Sequence, residues 1–134
     1  MPASTNLLPA DLLDLLTGDS LGHVATVTPS GHLNTHVMWI DAENGNLLTS
    51  SRVGSAKGRA WRLDPRASVS VVDAKNPWRW ISVSGRVTEI RPDTGLAFID
   101  KLSRRYTGRD YAMRDMDREI FVIEPKRVRS SSGR

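Results

Sequence analysis

The sequence predicts a mainly β (α+β) chain, a small antiparallel barrel of six strands with two or three short helices. Three observations carry this. Runs rich in β-branched residues recur along the length, over residues 21–28, 34–40, 46–51, 67–73, 78–91 and 119–128. Between several of them stand turn signals too short to hold a crossover helix: Pro29-Ser30-Gly31, Asn44-Gly45 and Asn76-Pro77. Helical periodicity is confined to short stretches. No internal repeat is present, and one domain over residues 1–134 is the economical reading, with roughly 1–6 and 130–134 frayed.

Taken in order, Pro9–Leu16 reads as a short helix with Leu12, Leu13, Leu15 and Leu16 on its apolar side, and Thr17-Gly18 stops it. Leu21–Thr28 is the first strand. Asn34–Ile40 is the second, and its alternation puts Asn34, His36, Met38 and Ile40 on one face and Thr35, Val37 and Trp39 on the other. The Asn44-Gly45 hairpin leads into the third strand, Asn46–Ser51. A helix around Lys57–Leu63 stops at Asp64-Pro65. Ala67–Asp73 is the fourth strand, and Trp78–Arg91 is a long fifth with Gly85 as its bulge or bend. Pro92-Asp93 opens a helix running to about Arg104. Tyr106–Asp117 is polar and irregular, and Glu119–Val128 closes the domain as the sixth strand.

The totals narrow the function. At 134 residues the chain can bury one core. A formal charge of +4 suits an anionic partner, but the charge is too mild and too scattered to specify nucleic acid. The absence of cysteine excludes disulfides, thiolate metal sites and a cysteine nucleophile. His23, His32 and His36 do not stand at a metal-binding spacing, and no GxSxG elbow supports a serine hydrolase. Residues 1–16 lack the basic and apolar regions of a signal peptide, and no stretch approaches a membrane span, so a cytoplasmic protein away from membranes is expected.

The stretch with the most chemistry is Thr49–Arg66, TSSRVGSAKGRAWRLDPR. Ser50, Ser51 and Ser55 offer hydroxyls and backbone N–H groups just ahead of a helix start, and Lys57 adds a full charge. That combination suits a phosphate, with Lys57 the strongest candidate for a charge-assisted contact. Arg52, Arg59 and Arg62 supply further charge, and Arg62 lies within about a turn and a half of Lys57. A solvated loop with a basic helix behind it is the plain alternative. Trp78 and Trp80 lie two apart and face the same side of the fifth strand. They suit either packing on a ring-bearing ligand or a core or dimer contact.

Four stretches in this order resemble the flavin- and deazaflavin-binding split-barrel proteins, the pyridoxamine 5′-phosphate oxidase-like group. His23–Ile40 (HVATVTPSGHLNTHVMWI) is similar to that family's hairpin, with Ala25-Thr26, Gly31 and Trp39 in place and Leu33 where proline is common. Ser55, Lys57 and Asp64-Pro65 stand at the spacing of the family's phosphate segment. Asp73–Val87 (DAKNPWRWISVSGRV) resembles its long strand, and Ile99–Tyr111 (IDKLSRRYTGRDY) resembles a segment of its deazaflavin-dependent branch. The resemblance implies a split barrel and a homodimer with cofactor sites at the dimer interface. It implies coenzyme F420 as the cofactor, with flavin mononucleotide (FMN) as the alternative. The implied activity is transfer of a hydride from reduced F420 to an unsaturated small-molecule acceptor, with an FMN-dependent oxidase or reductase, or a non-catalytic carrier, as alternatives. The resemblance places His36 beside the ring and Ser55 and Lys57 at the phosphate; with the residues read above, the candidate cofactor-binding set is His36, Ser50, Ser51, Arg52, Ser55, Lys57, Arg62, Trp78 and Trp80. No catalytic side chain or metal is implied. In some relatives an arginine stands at the position of Ser55, so less charge meets a long anionic tail here.

Overall fold

Trp39 alone carries the chain from one edge of the sheet to the other. The computed structural model describes residues 6–133. Its seven strands are β1 (Gly22–Val27), β2 (Leu33–Met38), β3 (Ile40–Glu43), β4 (Asn46–Arg52), β5 (Arg66–Asp73), β6 (Asn76–Pro92) and β7 (Arg118–Ser132). They form one sheet in the order β2-β1-β5-β6-β7-β4-β3, with each neighbouring pair antiparallel. β2 and β3 are its opposite edges, yet only one residue separates them, a reach of about 7 Å between flanking Cα atoms. The sheet therefore curls until its edges almost meet. The result is a split β-barrel whose seam is bridged by the covalent chain.

The seven strands correct the expected six, because the single strand over Asn34–Ile40 is two. β2 pairs with β1 as far as Met38↔Gly22, and β3 pairs with β4 from Ile40↔Thr49. Both Met38 and Ile40 are buried, so the alternation runs through the break unmarked. The Thr49 hydroxyl ties down the crossing residue by donating to the Trp39 carbonyl at 2.9 Å. At the β3–β4 hairpin, Asn44 and Gly45 both have positive φ (54° and 80°), as the tightest two-residue hairpin requires.

The barrel interior takes one side of each strand: Val24, Leu47, Val69, Val71, Ile81, Val83, Phe121 and Ile123 are all essentially buried. A 3₁₀ turn at Ala10–Leu12 and helix α1 (Leu13–Thr17) add Leu8, Leu12, Leu15 and Leu16 to the same core. Each such side chain contributes about 1.5–3 kcal/mol. Helix α2 (Ala56–Leu63) crosses from β4 to β5 and sends Trp61 inward against Phe121, ring centroids 4.9 Å apart. Helix α3 (Ala97–Thr107) packs Phe98 and Leu102 with Leu48 and Val122 in a second, smaller cluster. The buried Asp93 carboxylate starts it by accepting from the N–H groups of Phe98 (2.8 Å) and Ile99 (2.9 Å), an arrangement worth about 1 kcal/mol. Gly108, at φ 81°, ends it. The helix runs past the expected end near Arg104, and this carries Arg105 and Tyr106 to the seam. None of these helices is long and apolar enough to cross a membrane.

Ser130–Ser132, expected to fray, instead pair with Ile81, Trp80 and Arg79 of β6. The long fifth strand of the sequence reading, here β6, has enough length to hold them. Residues 1–5 and Arg134 of the expected frayed ends lie outside the described residues.

Gly85 sits at the expected bulge, where the β6–β7 register shifts between Ser84 and Gly85. A Cβ there would stand 2.0 Å from the Glu124 carbonyl oxygen and 3.1 Å from the Pro125 Cα, both backbone atoms that cannot swing aside. Gly85→Ala is expected to lower unfolding stability by about 2 kcal/mol or more in urea denaturation, because the two longest strands must part at their centre.

Candidate functional site

A cleft of about 250 Å³ opens at the seam, with Trp39, Ser50, Lys57, Tyr111 and Arg118 among its walls. The first wall is aromatic. Trp39 stacks on Tyr106 (centroids 5.2 Å, planes 9° apart) and takes Tyr111 edge-on at 6.0 Å. The Tyr106 hydroxyl donates to the Ser20 carbonyl at 2.6 Å and accepts from the Ile40 N–H at 3.4 Å. Burial pushes the Tyr106 phenol above its ordinary range, so it stays a donor. One residue on, the buried Asp41 carboxylate meets Lys101 at 2.9 Å and Arg105 at 3.1 Å. The last two turns of α3 thus clamp the seam from outside.

The second wall is cationic. Alternation along β4 puts Leu48, Ser50 and Arg52 on the α3 side and Thr49 and Ser51 on the other. Arg118 lies directly across from Arg52 on β7. Its Nε donates to the Ser50 Oγ at 3.0 Å, and its guanidinium sits 4.9 Å from the Tyr111 ring centroid. Lys57, the second residue of α2, reaches the same cleft and is half-buried.

These cations lack anions. Among the described residues the Lys57 and Arg52 side chains make no hydrogen bond or ion pair, and the Arg118 side chain makes no ion pair and hydrogen-bonds only to the neutral Ser50 and Tyr111. Elsewhere Arg62, Arg66, Arg79, Arg91, Arg104, Arg105 and Arg114 each meet a carboxylate. Burial, then the charges of Arg118 and Arg52, hold the Lys57 ammonium below the usual lysine range. An anion in the cleft would relieve that repulsion and gain charge-assisted hydrogen bonds.

Of the residues proposed from sequence, Ser50 and Lys57 come together here; Arg52, exposed on β4 opposite Arg118, does not line the cleft and reaches Lys57 through its charge. Ser55 is buried and caps α2, its Oγ accepting from the Gly58 N–H at 3.1 Å. Ser51 is buried on the opposite face of β4 from Ser50. Arg62 is engaged in a two-pronged pair with Glu119. His36 lines a separate hollow of about 140 Å³ with Thr26, Asn34 and Arg59. Burial, with the Lys57 charge second, pushes its imidazole below the usual histidine range. Trp78 and Trp80 lie at the start of β6, Trp80 opposite Ser131, and neither lines the cleft.

The sequence by itself assigns no site role to Trp39, Tyr111 or Arg118. Trp39 and Tyr111 stood inside motifs without a role. Arg118 carries no local signal, since its place comes from pairing with Arg52 across the sheet.

Residues 8–132 match the family described as Pyridoxamine 5′-phosphate oxidase. The chain belongs to this family. A solved F420 reductase superposes with TM-score 0.83 at 32% identity, covering 91% of this chain and 98% of that one. A conserved hypothetical protein from Mycobacterium tuberculosis gives TM-score 0.75 at 23% identity, over 100% of this chain and 91% of its own. A heme binding protein from Mycobacterium smegmatis gives TM-score 0.65 at 21% identity, over 95% of this chain and 56% of its own. The last two show a common fold. No curated protein sequence matches the chain.

In this pyridoxamine 5′-phosphate oxidase family member, anion affinity at the cleft is expected to track Lys57 protonation. Anion binding favours the charged ammonium, so affinity is full below the depressed Lys57 pKa and falls as pH rises through it. The fall therefore begins at a lower pH than an ordinary lysine would give. Titration with inorganic phosphate between about pH 8 and 10.5, where the ligand's own charge is nearly constant, reads this directly. In Lys57→Arg, which keeps its charge throughout, the fall is expected to vanish.

Proposed function

We propose that this chain is an oxidoreductase that holds a phosphate-bearing flavin or deazaflavin in the seam cleft. Coenzyme F420 is the preferred cofactor, and an unsaturated small molecule is the hydride acceptor. The observation that carries the reading is the meeting of Lys57, Arg52 and Arg118, with no carboxylate partner among the described residues, beside the Trp39–Tyr111 wall. The donor set fits a phosphate: Lys57 as a point charge, Arg118 as a fork already oriented by Tyr111, and the Ser50 hydroxyl beside Arg118. Likeness to an F420 reductase at 32% identity supports the choice of deazaflavin.

When bound in its reduced form, such a cofactor supplies a hydride to the acceptor's electron-poor carbon, and a proton from solvent completes the reduction. This chain's residues would anchor the phosphate, set the ring plane against Trp39 and Tyr111, and exclude water on the protein side. No side-chain nucleophile is needed. Leu21 and Val37, exposed by 46% and 62%, stand at the cleft. A second copy clasping this rim would cover them, and the reading includes such a homodimer.

FMN is the second reading. It is favoured by Ser55, whose oxygen accepts the α2 cap and adds no charge for a longer anionic tail.

The test is fluorescence titration of the wild type and Lys57→Ala with F420 and with FMN. Lys57→Ala is expected to weaken binding by about tenfold to a hundredfold, the worth of one hydrogen bond to a charged group, with the melting temperature little changed. Unchanged affinity removes the phosphate assignment. Tight FMN binding with none for F420 selects the second reading. Binding without turnover across a panel of enones and quinones selects a carrier.

A further inference from the structure

We propose that Asp100 is the positioning residue of the cleft: it fixes Tyr111, and through Tyr111 the Arg118 guanidinium, in the arrangement that receives the anion. The inference rests on the reading above for the identity of that anion, but its geometry stands apart from it.

Residues 108–117 form neither helix nor strand. No ladder therefore sets the place of Tyr111, although its ring is a cleft wall. Asp100 supplies what the backbone lacks. It projects from α3, is only 6% exposed, and receives three hydrogen bonds. Its Oδ1 accepts from the Tyr111 N–H at 2.9 Å and from Arg114 Nη1 at 2.9 Å, and its Oδ2 accepts from Arg114 Nη2 at 3.0 Å. Arg114 Nη1 also donates to the Tyr111 carbonyl at 3.1 Å. Both backbone polar groups of Tyr111 are thus tied to one carboxylate–guanidinium pair. Such a forked pair fixes direction as well as distance.

The consequence reaches the cleft in two contacts. With its backbone held, the Tyr111 ring stands edge-on to Trp39 and beneath the Arg118 guanidinium. Arg118 in turn points its Nε at Ser50 and lies within 3.5 Å of the Tyr111 hydroxyl through Nη1. A guanidinium free to rotate would lose entropy on meeting an anion, whereas one already seated loses little. Asp100 itself does not line the cleft, so its influence runs through Tyr111.

A merely structural carboxylate and a positioning one differ in a double-mutant cycle. Asp100→Ala is expected to weaken binding of inorganic phosphate, a probe with no ring to meet Tyr111, by about tenfold in the wild-type background and to add nothing in an Arg118→Ala background. Asp100→Asn, which keeps an acceptor for the Tyr111 N–H, is expected to lose less. Equal loss in both backgrounds, or no loss in the wild type, overturns the proposal. Should Asp100→Ala fail to fold, Arg114→Ala breaks the same pair from its exposed end and takes its place in the cycle. A ligand-free measurement separates this from the function itself. By NMR, Asp100→Ala is expected to remove exchange protection at the Tyr111 amide and to shift the Arg118 Nε–H resonance. An unmoved Arg118 resonance sinks the proposal whatever the cofactor. A wild type that binds neither F420 nor FMN sinks the proposed function and leaves the NMR result to decide Asp100.

Discussion

The sheet curls because β2 and β3, its two edges, are joined through Trp39 alone. A connection that short cannot cross an open sheet of seven strands, so the edges must come together. Where they meet, no ladder of hydrogen bonds zips them, and the gap left is the cleft. The seam needs support, and α3 gives it: Tyr106 stacks on Trp39, while Lys101 and Arg105 close on the buried Asp41. Removing either cation would leave a buried carboxylate with less compensation, a costly state in a low-dielectric setting.

Strand pairing and chain connectivity set the electrostatics. Arg52 at the end of β4 pairs with Arg118 at the start of β7, and α2 begins four residues after β4, so Lys57 lies near both charges. Ion pairs elsewhere join near neighbours, such as Arg66 with Asp64, and distant residues, such as Arg62 with Glu119, but each gives its cation a carboxylate. At the cleft, Arg118 comes from far along the sequence to stand by Arg52 and Lys57, without a carboxylate partner among the described residues. Like charges held together cost stability, and a fold keeps that cost where binding an anion offsets it.

Much of this was legible in the residues. β-Branched runs, the Asn44-Gly45 hairpin, the Gly85 bulge and the helix around Lys57–Leu63 follow from rules that act over a few neighbours. The strand count was not, because Met38 and Ile40 are both buried and alternation does not register a change of partner at Trp39. Nor was the fate of the serines. Ser50 and Ser51 look alike in sequence, but the pleat sends them to opposite faces of β4. Arg62 looked as available as Arg52, yet Glu119, far along the chain, takes it.

What the sequence determined by itself is the kind of fold and the presence of a cationic, hydroxyl-rich stretch ahead of a short helix, since propensity, turn chemistry and charge are local properties. The tertiary structure alone decided which cations share a cleft, which serine faces it, and that an aromatic wall stands opposite. Those depend on strand register and on the curl, and both are set by contacts between residues tens of positions apart, which no local pattern encodes.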